Sequence, residues 1–408
     1  MVQASQQAGG FYVPRFQLLA SATANAAGNP LPAAVLNDIV EITYKDKLEE
    51  LDSCELVVNN WDPTQRCFKY IGAETLNAAG DPVGGNPNAP YWNIFDPCKR
   101  TVQLLLGYSN APLTPMLTGT FVTYEPNFPA SGPPILSVRM LNILQALRSK
   151  KYDQQYTKKL INPLTDTGIA RWISTQKDPQ TKQPRLPIPL ETSANSDEPK
   201  LHYVIQKSQY DIDFLWERAR YNGYDLFISP KGTLVYQQSQ SPDVPVYSLK
   251  YGQSLIDFKP TLTVGNQYKS VTVRGWDRKT QKLIEVKLDY TDPKVGKFNK
   301  NLHYMLDQCD PREERVIEKP FFTQDEATRY CASVFGDQLK RMVKATGTTV
   351  GLPLLRAGKK IQIGGVGDNS LGTRLSGTYF VTATTHTFNS NGYTTRFEAR
   401  REDLGTGQ

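Results

Sequence analysis

Histidine is nearly missing from this chain: His202, His303 and His386 are the three among 408 residues. None has a carboxylate, a cysteine or another histidine at ligand spacing, so a zinc site is not expected. Cysteine is also sparse. Cys54, Cys67, Cys98, Cys309 and Cys331 are odd in number, scattered, and form no CxxC pair. They read as free thiols in a reducing compartment, with a Cys54–Cys67 hairpin bridge as the open alternative. No apolar run approaches the roughly 18 residues of a membrane span, so direct membrane insertion is not expected. Ala22-Thr23-Ala24 imitates a signal-peptidase site, but no basic segment precedes it and the apolar run covers only Leu18 to Ala20, so no signal peptide is expected. A dominant charge is missing too. Lys+Arg total 47 and Asp+Glu 40, a net +7 too dilute for a dedicated nucleic-acid binder. GxSxG, HExxH and the Walker spacing do not occur. Gly364-Gly365-Val366-Gly367-Asp368 has the glycines of a phosphate loop, but the third position of that motif is Ser370 and strands flank it, which favours a hairpin loop. No catalytic residue, cofactor or metal is assigned.

What the chain has is turns: Gly 29 and Pro 28 imply many strands. Alternating segments at 39–44, 54–58, 101–107, 117–124 and 135–140 make residues 1–140 β-rich, with a long Gly/Pro/Asn loop at 72–98. Residues 141–176 read as helical, with Leu141, Leu144 and Leu147, then Ile169, Trp172 and Ile173, and Asp166 or Thr167 as a cap. A Pro-rich linker is expected at 177–200. A helix is predicted over 209–222, where Ile212, Leu215, Trp216 and Ala219 share one face, Ser208 caps the start and Gly223 ends it. A hairpin follows at 224–237. The last third returns to strands at 270–274, 283–288, 360–363, 377–383, 386–389 and 394–399. One helix interrupts them at 324–341, opened by the capping box Thr323-Gln324-Asp325-Glu326 and striped by Ala327, Cys331, Val334 and Phe335.

Charge is uneven along the chain. Residues 148–185 carry nine basic side chains against Asp153, Asp166 and Asp178, an excess of six. Lys150, Lys151, Lys158, Lys159 and Arg171 are therefore a candidate interface with an acidic partner, provided helical spacing puts them on one face. The acidic run Asp307, Asp310, Glu313, Glu314 and Glu318 reads as a solvated loop; a glycosidase carboxylate pair is the competing reading.

Short segments in a consistent order resemble a known family. They are Tyr12-Val13-Pro14-Arg15-Phe16, Asp38 through Ile42, Asn60-Trp61-Asp62, Val102 through Gly107-Tyr108, Leu117-Thr118-Gly119, and Asp211-Ile212-Asp213-Phe214-Leu215 with Asn222-Gly223-Tyr224. Val271 through Trp276-Asp277, Leu355-Arg356-Ala357-Gly358, Gly377-Thr378-Tyr379, His386 and Gly392 through Glu398 complete the set. Together they are similar to the baseplate hub of contractile phage tails and injection machines, which includes late-control protein D and the N-terminal part of VgrG spikes. The resemblance implies a mainly β fold of two tudor-like β-barrels with α/β insertions. The first barrel would be 1–140, an α/β insertion 141–255, and the second barrel 256–408, interrupted at about 291–345. It also implies a non-catalytic homotrimer, a pseudo-sixfold ring joining a sixfold inner tube to a threefold spike, assembled in the cytoplasm with other baseplate components. The chain ends at Gln408 without the OB-fold and β-helix of VgrG, so a separate spike protein is expected. A tail-associated cell-wall hydrolase, using loop 291–322 or 72–98, and an effector-carrying hub are the competing readings.

Overall fold

The computed structural model describes residues 13–401 except 22–27, 49, 73, 181, 183, 187, 193–197, 230–232, 239–243, 266, 278–279, 296–311, 317–320, 322 and 365–374. His303, Cys309, Asp307, Asp310, Tyr12 and the glycine run after Gly364 lie outside the described residues.

The first β-rich portion contains β1 (Pro14–Ser21), β2 (Asn29–Pro30), the short helix α1 (Ala33–Asn37), β3 (Ile39–Lys47) and β4 (Ser53–Asn59). Two small hairpins follow, β5 (Trp61–Asp62) with β6 (Cys67–Phe68) and β7 (Glu74–Leu76) with β8 (Pro82–Gly84). Then come β9 (Thr101–Tyr108), β10 (Thr114–Asn127) and β11 (Ile135–Asn142). The middle has β12 (Lys151–Thr157), α2 (Asp166–Thr175), β13 (Leu190–Thr192), β14 (Tyr203–Tyr210), α3 (Asp211–Asn222), β15 (Tyr224–Ile228) and β16 (Leu234–Gln238). The last third has β17 (Tyr247–Lys250), β18 (Leu255–Leu262), β19 (Tyr268–Asp277), β20 (Lys282–Asp289), β21 (Arg312–Val316), α4 (Gln324–Lys340), β22 (Val343–Val350), β23 (Lys360–Gly364), β24 (Gly377–Asn389) and β25 (Gly392–Arg401).

The fold is mainly β, built on one large and mostly antiparallel sheet. Its path is β18-β22-β25-β24-β3-β4-β11-β10-β9-β1-β2, with β23 and β17 attached at β24. Strand β24 joins the two ends of the chain. Its first residues pair with β23, its later residues Ala383 to Phe388 pair with β3, and β25 runs along its other side. The sequence reads two strands at 377–383 and 386–389; they are one strand with a bulge between Val381 and Ala383. A bulge bends and twists the strand locally, which lets it serve two packing layers.

Alternation decides what is buried. In β3, Ile42, Tyr44 and Asp46 point inward, and in β9 Val102, Leu104 and Leu106 do. The first core gathers the apolar ones among these with Leu56, Val58, Phe121 and Val138. A second core surrounds α2, α3 and the β13-β16-β15 sheet. A third lies under β22 to β25, and a fourth lies between α4 and the β20-β19-β21 sheet.

Local signals explain the helices. Thr323 accepts a hydrogen bond from the Glu326 amide at 3.2 Å, and Ala327, Cys331, Phe335 and Leu339 repeat every four residues along the buried face of α4. Gly223 ends α3 in the left-handed region at φ 67°, where a side chain would be strained. Thr165, not Asp166 or Thr167, caps α2, through its Oγ1 and the Gly168 amide.

Three expectations need correction. Residues 141–165 are not α-helical. Leu144 and Leu147 lie on one 3₁₀ helix, Ile143–Arg148, whose period of three suits that spacing, and Tyr152 and Tyr156 then alternate on a strand. Ser208 does not cap α3; the helix starts at Asp211, and Tyr210 precedes it without a side-chain cap. The stretch 177–200 is not a bare linker: Leu186 is buried in the second core and β13 pairs in parallel with β16. Among the described residues Cys54, Cys67, Cys98 and Cys331 are free thiols, so no Cys54–Cys67 bridge forms.

Leu215 is 2% exposed in the second core. Leu215→Ala is expected to destabilise the chain by about 2–5 kcal/mol in urea unfolding, and a loss below about 0.5 kcal/mol would place its side chain outside the core.

Candidate functional site

The basic stretch does not form one helical face. Lys150 lies just before β12, 3.4 Å from Asp178 and over the Tyr152 ring. Lys151 is exposed on β12 and lies over Tyr210. Lys158 and Lys159 are exposed in the turn after that strand. Arg171, on α2, donates to Thr192 Oγ1. Arg148 pairs with Asp213, and Arg185 is buried against Asp211. Local carboxylates thus neutralise three of the nine cations, and the outward charge is carried by the other six: Lys151, Lys158, Lys159, Arg171, Lys177 and Lys182. Exposed Leu160, Tyr203 and Ile205 lie beside the first of these, because β12 pairs with β14 through Gln155 opposite Ile205 and Thr157 opposite Tyr203. Strand geometry, not helical spacing, makes this a shared surface.

The residues of the family-like segments divide between packing and exposure. Pro14 pairs opposite Tyr108 at the end of β1. At Gly107, an added Cβ would lie 3.0 Å from Leu113. At Gly119 it would lie 1.9 Å from the Leu141 carbonyl oxygen, so β10 and β11 approach closely enough to require glycine. Gly358 adopts φ 81° with the Phe227 ring against it. Gly377 opens β24, and Tyr379 is buried and donates to the Leu375 carbonyl. Phe214 and Leu215 are buried on α3. Asp62 accepts from the Thr64 and Gln65 amides, which holds its carboxyl below the usual range. Trp61 packs edge-on against Phe68. Trp276 is 53% exposed opposite Leu283, and Asp277 accepts from Thr280. Trp61 and Trp276 lie on different sheets, β5-β6 and β20-β19-β21.

Tyr108 and His386 are brought together. His386 is fully buried on β24, its Nε2 donating to the Leu355 carbonyl at 3.0 Å and its Nδ1 accepting from Tyr393 Oη at 2.8 Å. The Leu355 carbonyl can only accept, which fixes the neutral Nε2–H tautomer. Tyr108 Oη donates to the Gly351 carbonyl at 2.8 Å, beside Tyr393. Burial, aided by the nearby Arg356 charge, lowers the His386 pKa to about 3. It is a packed, hydrogen-bonded histidine, as its strand pattern suggests.

Next to it lies a cluster around Arg356, which the family-like segment Leu355–Gly358 contains but to which the sequence assigns no role. The Arg356 guanidinium is 1% exposed and donates from Nε to Asp46 Oδ2 at 2.5 Å. Its Nη2 reaches Tyr44 Oη, and Asp52 lies 3.5 Å away. The Ala357 amide also donates to Asp46 at 3.1 Å. Asp46 and Tyr44 lie on β3, and Asp52 just beyond it, so Arg356 fastens the first core to the segment before β23. Burial, with Asp46 beside it, pushes the Asp52 carboxyl well above the usual range.

Two outcomes follow. Arg356→Met leaves Asp46 buried without its counter-ion and is expected to cost about 3–5 kcal/mol in urea unfolding. For His386, the unfolded imidazole titrates near 6.5, above its folded value of about 3. Its contribution is therefore present above pH 6.5 and is lost as pH falls toward 3. Asp52 acts with the opposite sign, so the readout is the difference between wild type and His386→Gln: the variant should lose less stability between pH 6.5 and 4.

The described residues hold no cluster of three or more His, Cys, Asp or Glu that would bind a metal. No helix among them is long and apolar enough to cross a membrane. The fold is similar to that of known tail proteins over nearly its full length. A tail protein from Neisseria meningitidis MC58 superposes with a TM-score of 0.61 at 12% identity, covering 96% of this chain and 97% of the other. The 43 kDa tail protein of prophage MuSo2 from Shewanella oneidensis gives 0.61 at 13% identity, covering 95% and 98%. An Escherichia coli component of the type VI secretion system gives 0.51 at 10% identity, covering 91% and 75%. At such identities the likeness is one of fold. No curated protein sequence matches the chain. Residues 187–390 match the family model described as the Alg8 N-terminal domain, and because that match spans half of the 408 residues the chain belongs to that family.

Proposed function

We propose that this protein is the structural, non-catalytic baseplate hub of a contractile tail or injection particle. The observation that carries the reading is co-extensive fold: over at least 95% of its length the chain superposes on two tail proteins, one of them from a prophage, of which it covers 97% and 98%. In this reading the strands of residues 1–140 and 256–408 form two tudor-like barrels that meet where β24 pairs with β3, and residues 141–255 are the α/β insertion. Three copies carry six such barrels, which would match a sixfold tube ring on one side and a threefold spike on the other. The partners are two further copies, a separate spike protein, the inner tube ring and other baseplate components, assembled in the cytoplasm. The Alg8 description names a domain and no reaction, and the buried groups at the β24–β3 seam are turned toward packing.

The lysine surface of β12 and its following turn serves this role by orienting a partner. Apolar burial supplies affinity but little register; complementary charge supplies register, and salt screens it over about 8 Å at physiological ionic strength.

Co-expression with a spike protein and light scattering provide the test. Trimers, or chains that trimerise on meeting the spike, are expected, whereas a stable monomer indifferent to the spike overturns the reading. Within it, Lys151→Glu, Lys158→Glu and Lys159→Glu together should leave the melting temperature unchanged, since exposed charges contribute little to stability, yet lower the particle yield. Lys150 is omitted because it already pairs with Asp178. Normal yield at low and high salt alike would make these lysines an ordinary solvated surface.

A further inference from the structure

The end of α4 and the outer face of the large sheet enclose a cleft of about 290 Å³. Four cations line it from two directions. Lys340 and Arg341 come from the C-terminus of the helix; Lys344 and Arg400 stand directly opposite one another on β22 and β25. Helix dipoles favour cations at a C-terminus, which accounts for the first two. It does not account for the second two, which the sheet register brings beneath them.

The cations differ in their ties. Lys340 is 4% exposed and lies 3.5 Å from Asp337. Arg400 rests on the Phe380 ring and bonds both oxygens of Asp225. Arg341 and Lys344 are exposed and make no ion pair or side-chain hydrogen bond among the described residues. Asp337, Glu398 and Asp225 stand against the four cations, so the cleft keeps one positive charge in excess, presented by exposed Arg341 and Lys344.

We infer that this cleft binds an acidic peptide segment of a partner protein, held by its carboxylates. The rest of the lining favours a peptide over a polyphosphate or nucleic acid. Asp337 and Glu398 also border the cleft, with Thr346 opposite Glu398 and Thr382 nearby. A dense polyanion would meet both carboxylates. An extended peptide presents carboxylates to Arg341 and Lys344 and amide donors to Glu398, and the hydroxyls serve either need. The inference does not depend on the hub reading, because it requires only the isolated chain.

Fluorescence anisotropy with a short fluorescein-labelled peptide of alternating Asp and Gly, at low salt, tests it. Binding should weaken by about tenfold in the Arg341→Glu, Lys344→Glu double variant, with the melting temperature unchanged. The Lys158→Glu, Lys159→Glu variant should bind as the wild type does. Tripolyphosphate should compete poorly. The inference is overturned if the wild type does not bind, if the Arg341/Lys344 variant binds equally well, if the Lys158/Lys159 variant loses as much, or if tripolyphosphate displaces the peptide at lower concentration than unlabelled peptide does.

Discussion

The Arg356 guanidinium sits between Asp46, Asp52 and Tyr44, with almost no contact with water. Those partners lie 304 to 312 residues away along the chain, so the cluster forms only when the first and last thirds have met. Taking a guanidinium and two carboxylates out of water is expensive, and their mutual attraction offsets it only with good geometry and further hydrogen bonds. The Ala357 amide and Tyr44 supply such hydrogen bonds, while Asp46 Oδ1 and Arg356 Nη1 stay buried without a hydrogen-bond partner among the described residues, so the cluster is costly as well as specific. The cost of a misaligned cluster is what makes it specific. The β24–β3 ladder beside it, from Ala383 opposite Lys47 to Phe388 opposite Ile42, cannot slip by a residue without turning Asp46 and Tyr44 away from Arg356.

The middle of the chain repeats this logic around α3. Asp166 accepts from Arg218 and Asn222, and the buried Arg185–Asp211 pair also engages Gln206. On the other side of the same helix, Tyr221 donates to Glu326 at the start of α4, and Ser333 of α4 donates to the Arg220 carbonyl. A twelve-residue helix therefore links the second and fourth cores through polar contacts as well as apolar ones. The ion pairs inside this unit consume cations that a count of charges assigns to the surface. What remains outside is a narrower set: Lys151, Lys158 and Lys159 on β12 and its turn, with Arg171, Lys177 and Lys182 on and after α2.

Local order was legible in the residues themselves. The capping box at Thr323, the αL glycine at 223 and the period-two strands from Ile39 to Phe397 follow from interactions spanning a few residues, so their signals survive without tertiary context. The basic stretch was found by counting, but its geometry was misread. An i, i+3 leucine spacing fits a 3₁₀ helix as well as an α-helix, and the strand that follows it is stabilised by β14, about 50 residues further on.

The sequence by itself determined that this is a mainly β chain with one helix opened by the Thr323 cap, a polar histidine destined for the interior and an excess of cations between residues 148 and 185. Only the tertiary structure decided which of those cations face water, that β24 serves both ends of the chain, and that Lys344 and Arg400 meet Lys340 and Arg341 at one cleft. The physical reason is range. Caps and alternation are set by neighbours one turn or two residues away, whereas register and charge pairing are set by strands that are distant in sequence and are chosen only when the buried groups find each other.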